Sequence, residues 1–135
     1  MTTSNQDIVD KFFDAYIKHD FEALKKVMVE DVTWNFRGNH KLAGVKKGII
    51  EIVGFFDIMG EIMSKSNPTI EKLMVCSKDQ YLIEFQHIKT NREDGNNIDH
   101  HVCVLWTIKD GKIISGRHFF ADPPAVDTYF NAVAP

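Results

Sequence analysis

Apolar positions recur at helical spacing from the start of the chain: Ile8, Phe12, Ala15, Tyr16 and His19 share one face, behind a helix-start signal in Ser4 and Asp7. This predicts a first helix ending near His19. Asp20 then caps a second helix with Leu24, Val27 and Met28 on its apolar face, and Val32, Trp34 and Phe36 alternate with Thr33 and Asn35 as a strand does. Arg37 to Lys47, with Gly38, Asn39 and Gly44, reads as a loop. A third helix beginning near Gly48 carries Ile49, Ile52, Val53, Phe56, Met59 and Met63. After Ser66-Asn67-Pro68 the period changes to that of strands, predicted over 69–76, 80–90, 98–108 and 112–122, with turns at Ser77-Lys78-Asp79, Asp94-Gly95 and Asp110-Gly111. Pro123-Pro124 stops the last strand, and a short helical tail carries Val126, Tyr129 and Phe130. Helices first and an antiparallel meander afterwards give an α+β fold with the helices on one face of a curved sheet, in a single domain over 1–135 without repeat or linker.

Loop length decides which side chains of the last two long strands share a face. A three-residue loop Lys109-Asp110-Gly111 pairs Ile108 with Lys112. One face then carries Ile98, His100, Val102, Val104, Trp106 and Ile108 beside Ile114, Gly116, His118, Phe120 and Asp122. In that register His118 lies opposite Val102, and His100 lies opposite Phe120, diagonal to His118 and Asp122. A two-residue loop mixes the faces, and the cleaner apolar partition favours three. Asp122, His118 and His100 are thereby candidate catalytic groups: a carboxylate in an apolar pocket holds its proton more tightly, and an imidazole beside it can share that proton. The bland alternatives are that Asp122, ahead of Pro123, caps the closing turn and that the histidines are solvated or simply hydrogen-bonded.

Candidate ligand-contacting residues are Trp34, Tyr16, Phe36, Phe56, Met59, Met63, Val102, Val104, Trp106 and Phe120, any of which can equally be plain core. Glu84 and Gln86 share a face, inward if the Asp94-Gly95 turn has three residues and outward if it has two. His40, in the loop after the first strand, reads as a surface residue.

Charge and composition narrow the partners. With 44% hydrophobic and 26% charged residues, a formal net charge of −3 and a pI near 6.0, the chain has no basic track for nucleic acid. No apolar run approaches the ~18 residues of a membrane span, and the polar start from Met1 lacks a signal-peptide layout, so the expectation is a cytoplasmic protein without a membrane partner. Cys76 and Cys103 lack C-x-x-C spacing and read as small buried hydrophobes. His100 and His101 point to opposite faces and cannot bind one ion, and neither a phosphate-cradling Gly loop nor G-x-S-x-G occurs. No metal and no cofactor is expected.

Three segments resemble the NTF2-like superfamily, in particular its SnoaL-like, ketosteroid-isomerase-like members. They are Phe12 to Leu24, Glu30 to Phe36 with Leu42-Ala43-Gly44 and Lys47-Gly48, and Lys109 to Ile113 leading to Asp122 and Asp127 to Phe130. The resemblance implies a cone enclosing one pocket for a small apolar organic ligand, a homodimer paired through the outer sheet face, and an acid/base role for Asp122 with help from His118 and His100. The positions that hold an Asp base, a Tyr and a protonated Asp in ketosteroid isomerases carry Phe36, Phe12 and Val104 here, which argues against steroid isomerisation by that mechanism. Arg117 falls on the outer face, so the Asp-Arg-Asp set of epoxide-hydrolase-like members is not evident. Two function classes follow: a cofactor-free isomerase, cyclase or dehydratase working by proton transfer on a small carbonyl compound, or a non-catalytic domain holding an apolar ligand or partner segment.

Overall fold

The computed structural model describes residues 4–135; the polar start at Met1 to Thr3 lies outside the described residues. Helix α1 (Asn5–Ile17) opens on a capping box in which the Ser4 side chain and Asp7 satisfy each other's backbone N–H groups. Helix α2 (Phe21–Val27) is capped by Asp20, which accepts from the Ala23 N–H. Strands β1 (Met28–Phe36) and β2 (Gly44–Lys47) follow, then the long helix α3 (Gly48–Ser64). The chain continues through β3 (Thr69–Lys78), β4 (Tyr81–Lys89), β5 (Asp99–Lys109) and β6 (Lys112–Phe120), and ends in α4 (Pro123–Val133). The six strands form one sheet in the order β2-β1-β6-β5-β4-β3, antiparallel except where β1 runs parallel to β6. The helices cover one face, as the order of elements predicts, and their apolar residues meet the even-numbered side chains of β4 and β5 in a single core.

The turn between β5 and β6 corrects the predicted register. Asp110 and Gly111 alone form it, at φ of 51° and 76°, a two-residue hairpin with Lys109 opposite Lys112. A bulge then follows: Ile108 pairs with Ile113 and Thr107 with Ser115, leaving Ile114 extra. The bulge restores even-with-even pairing beyond it, so from Gly116 to Phe120 the inward face is the one expected, with partners shifted by two residues, while Ile113 rather than Ile114 is the buried residue at the start of β6. His118 therefore lies opposite Val104 rather than Val102, and Val102 lies opposite Phe120.

Three further expectations change. Cys76 is exposed and Cys103 only half-buried, because both sit on outward positions of β3 and β5. His40 is not a surface side chain: it packs against Phe36 and Phe130, with ring centroids 5.5 and 4.9 Å away. The β4–β5 connection is a long loop tied by Thr90 and Ile98, and its register keeps Leu82 and Glu84 inward while Tyr81 and Ile83 are exposed.

Across the outer face, register places Met74, Phe85, Cys103 and Phe119 in one row and Cys76, Ile83, Leu105 and Arg117 in the next. That is a largely apolar stripe four strands wide, ending at Arg117, on the face of the sheet away from the helices. Among the described residues no helix is long and apolar enough to cross a membrane.

Candidate functional site

The inner face is built in rows that the register fixes. Trp34, Gly116, Trp106 and Leu82 lie side by side on four strands, followed by His118, Val104 and Glu84, then Phe120, Val102 and Gln86, then His100 and Ile88. Trp34 and Trp106 pack edge to face with centroids 4.8 Å apart, and Phe12 and Phe56 close on them from the helices. Gly116 makes this possible, since a Cβ there would overlap the Trp34 ring.

Each polar group among these rings has a distinct state. The Trp34 indole donates to His118 Nδ1 at 3.0 Å. An indole N–H can only donate, so Nδ1 is the unprotonated nitrogen and the proton sits on Nε2. Burial among Phe36, Phe120 and Phe55 pushes the His118 pKa down to about 3, which keeps the ring neutral.

His100 is only 7% exposed, and neither of its ring nitrogens has a hydrogen-bond partner. Burial lowers its pKa, against opposing pulls from the Asp122 and Asp99 charges. A buried imidazole with both nitrogens idle costs free energy unless something else completes its bonds. The Phe120 ring packs near both histidines, 5.7 Å from His118 and 5.6 Å from His100.

Glu84 points inward and is 3% exposed; its carboxylate accepts from the Trp106 indole at 3.2 Å and pairs with Lys72 Nζ at 3.0 Å. Sequence reasoning missed Lys72 because a bulge between Lys72 and Met74 switches which positions of β3 face inward. Asp122 does not stand among apolar walls as expected. It is exposed and caps α4, accepting from the Ala125 N–H at 3.3 Å, although its charge still reaches His100.

Burial grades the remaining candidates. Trp34, Phe36, Val102, Val104 and Trp106 are fully buried, whereas Phe13, Tyr16, Phe56, Met59, Met63, Gln86 and Ile88 are half-buried and mark where the interior meets solvent between the helices and β3–β4. Tyr16 donates to Asp57 at 2.8 Å, with His19 on the same carboxylate; burial first, then Asp57, pushes its pKa up to about 12. Asp57 was not singled out from the sequence, where it reads as one more polar position on α3. A cleft of about 880 Å³ lies elsewhere, lined by Phe21, Lys25, Met28, Ile49, Ile50 and Lys112 among others. Its charged groups are solvated, whereas the inner face sets His118, His100 and Glu84 among aromatic rings and away from bulk water, which makes it the candidate site.

The sequence pattern of the SnoaL-like domain matches residues 9–116. The chain belongs to the SnoaL-like domain family. Its fold is the NTF2-like cone that the resemblance implied. The matched segment stops before His118 and Asp122, so membership assigns those two residues no role. The chain is 25% identical to the uncharacterized protein Rv0034 of Mycobacterium tuberculosis, over 92% of this chain and 94% of that one. It superposes on Bal32a, from a soil-derived mobile gene cassette, with a TM-score of 0.73 at 25% identity, over 93% of this chain and 95% of Bal32a. TerC, crystallised with polyporic acid, superposes with a TM-score of 0.67 at 18% identity, over 92% and 95% of the two chains.

Proposed function

We propose that this SnoaL-like chain binds a small, mostly apolar organic molecule bearing a carbonyl group inside the cone and moves a proton on it without a cofactor. The observation that carries this is His100, a buried neutral imidazole whose two nitrogens are unpartnered. His118 complements it: with Nδ1 held by Trp34, its Nε2–H is fixed as a donor.

The chemistry follows from those two states. His118 donates to the ligand's carbonyl oxygen, where negative charge develops as an enolate forms, and a neutral imidazole is a suitable donor for that purpose. His100 takes the proton from the adjacent carbon, becoming imidazolium. Asp122, at the rim and close enough to act on His100, stabilises that cation instead of taking the proton itself. Return of the proton from His100 to a different carbon gives isomerisation; its delivery to a departing β-hydroxyl, which leaves as water, gives dehydration; its delivery to the alkoxide formed when the enolate attacks a second carbonyl gives an aldol cyclisation. TerC, a relative in fold, was crystallised with a small organic compound. The non-catalytic reading keeps the same ligand and anchor but no proton transfer.

The homodimer belongs to the same reading, with the apolar outer stripe as the paired surface. A cytoplasmic setting agrees with the two unpaired thiols, Cys76 and Cys103.

The test is exchange of the α-protons of an aryl methyl ketone in D2O, with wild type and His100→Gln. The proposal expects enzyme-dependent exchange that falls by ~100-fold or more in the variant. Ketone binding without exchange supports the non-catalytic domain instead, and no binding by either protein defeats both readings.

A further inference from the structure

Glu84 has no part in the proton transfer above, yet it is the one charged side chain among the buried residues described. Its inward position on β4 brings it to the edge of an aromatic cluster. Trp106 binds it, and Phe12 and Phe13 stand 5.4 and 5.7 Å from the Trp106 ring. A carboxylate in such surroundings requires a cation, and here the cation comes from Lys72 on the edge strand. The two partners differ sharply in their setting: the Glu84 side chain is 5% exposed and that of Lys72 50%. The lysine reaches in from solvent, so it can leave without unpacking anything, whereas the carboxylate cannot follow it.

With Lys72 swung out, the interior contains one negative charge, aromatic faces and two neutral histidines. That combination attracts an ammonium group, through the carboxylate and through the ring faces, and disfavours an anion. We propose that the ligands of the cone carry a basic amine, and that Lys72 is a resident counter-ion which the ligand's ammonium displaces from Glu84. This rests on the reading that the cone binds a small organic molecule. It adds the ligand's second functional group. Glu84, Val104 and His118 occupy one row on three neighbouring strands, which sets amine and carbonyl up to roughly 10 Å apart.

The experiment compares 4-phenylbutylamine, 4-phenylbutanol and an aryl ketone as probes by calorimetry, alongside thermal melts of Lys72→Ala with propylamine or propanol. The expected result is at least ~10-fold tighter binding of the amine than of the alcohol to wild type, and loss of that preference in Glu84→Gln. Propylamine, but not propanol, should raise the melting temperature of Lys72→Ala, whose substituted side chain is half-exposed and dispensable for packing. Equal binding of amine and alcohol by wild type, with no selective rescue of Lys72→Ala, overturns the inference while ketone binding leaves the proposed function standing. Failure of all three probes to bind defeats the proposed function itself. If Glu84→Gln does not fold, the wild-type preference and the rescue of Lys72→Ala decide the matter.

Discussion

A tryptophan indole can only donate, and that single constraint sets the state of His118. Burial among the phenylalanine rings disfavours the charged ring and lowers its pKa to about 3, and the neutral ring keeps Nδ1 free to accept from Trp34. An unfolded histidine titrates near ~6.5, so between these values the unfolded chain binds a proton that the folded chain refuses. The stability involved is therefore complete above pH ~6.5 and is lost as the pH falls toward 3, at up to ~1.4 kcal/mol per pH unit for this residue. Urea unfolding should show a loss of ~2 kcal/mol between pH 7 and 5, with His100 acting in the same direction, and His118→Phe should flatten the slope. A wild-type midpoint unchanged over that range would mean the ring is protonated in the fold. For turnover, the lowered pKa of His100 predicts an acid limb in the kcat/KM profile below the usual histidine value, one that disappears with His100→Gln. At this scale the sequence was informative about which residues turn inward and silent about which atoms are paired. Nothing in a string of letters reveals that Trp34 reaches His118, or that His100 reaches nothing.

Elements carry the reason why Asp122 stands outside the apolar interior. Two local signals competed at the end of β6: the alternation that carries inward positions through His118 and Phe120, and the Asp-Pro-Pro sequence that starts a helix. The helix won, because a carboxylate that accepts from the Ala125 N–H at the start of a helix opened by two prolines is already satisfied where it stands. Asp122→Ala should accordingly cost about 1 kcal/mol as a lost cap, and Asp122→Asn should lower turnover by less than tenfold, since an amide still caps and the charge acts only at a distance. A fall of ~100-fold with an intact fold would restore Asp122 as the acid/base group. The β5–β6 hairpin shows the complementary lesson. The face partition was legible from alternation, but a shorter turn and an unforeseen bulge offset each other only beyond Ile114, so the faces came out right from Gly116 to Phe120 with partners wrong by two, and Ile113 took the buried place expected for Ile114. Gly116 is the position where this register is most exposed to a test. Trp34 lies directly over it, so Gly116→Ala should destabilise the fold by ~1–3 kcal/mol through overpacking and should disturb the Trp34–His118 bond as well. A melting curve identical to wild type would show that the two tryptophans have room to part.

At the scale of the whole molecule, the helices give the sheet only one covered face. The other presents Met74 at 57%, Ile83 at 42% and Phe119 at 46% exposure in adjoining rows, more apolar surface than a solvated sheet face requires. The edge strand β3 is exposed along its whole length, yet its bulge at Leu73 interrupts the regular ladder that pairing along that edge would use, which favours pairing through the apolar face. Pairing of that kind is isologous, each stripe covering its own equivalent, so a single charge placed in it appears twice in the dimer and meets its own copy or desolvated apolar surface. Ile83→Glu and Phe119→Glu both alter side chains that are solvated in the single chain, so neither should lower its stability by more than a few tenths of a kcal/mol. In sedimentation at micromolar concentration wild type should run as a dimer and both variants as monomers, with the same circular dichroism. A wild-type monomer would refute the pairing outright, and dimeric variants would move the interface off this face. The proposed ketone-exchange site would lie on the opposite face of the sheet and within one chain, so the monomeric variants should keep their exchange activity; its loss on dissociation would mean that the partner copy helps to shape the cone.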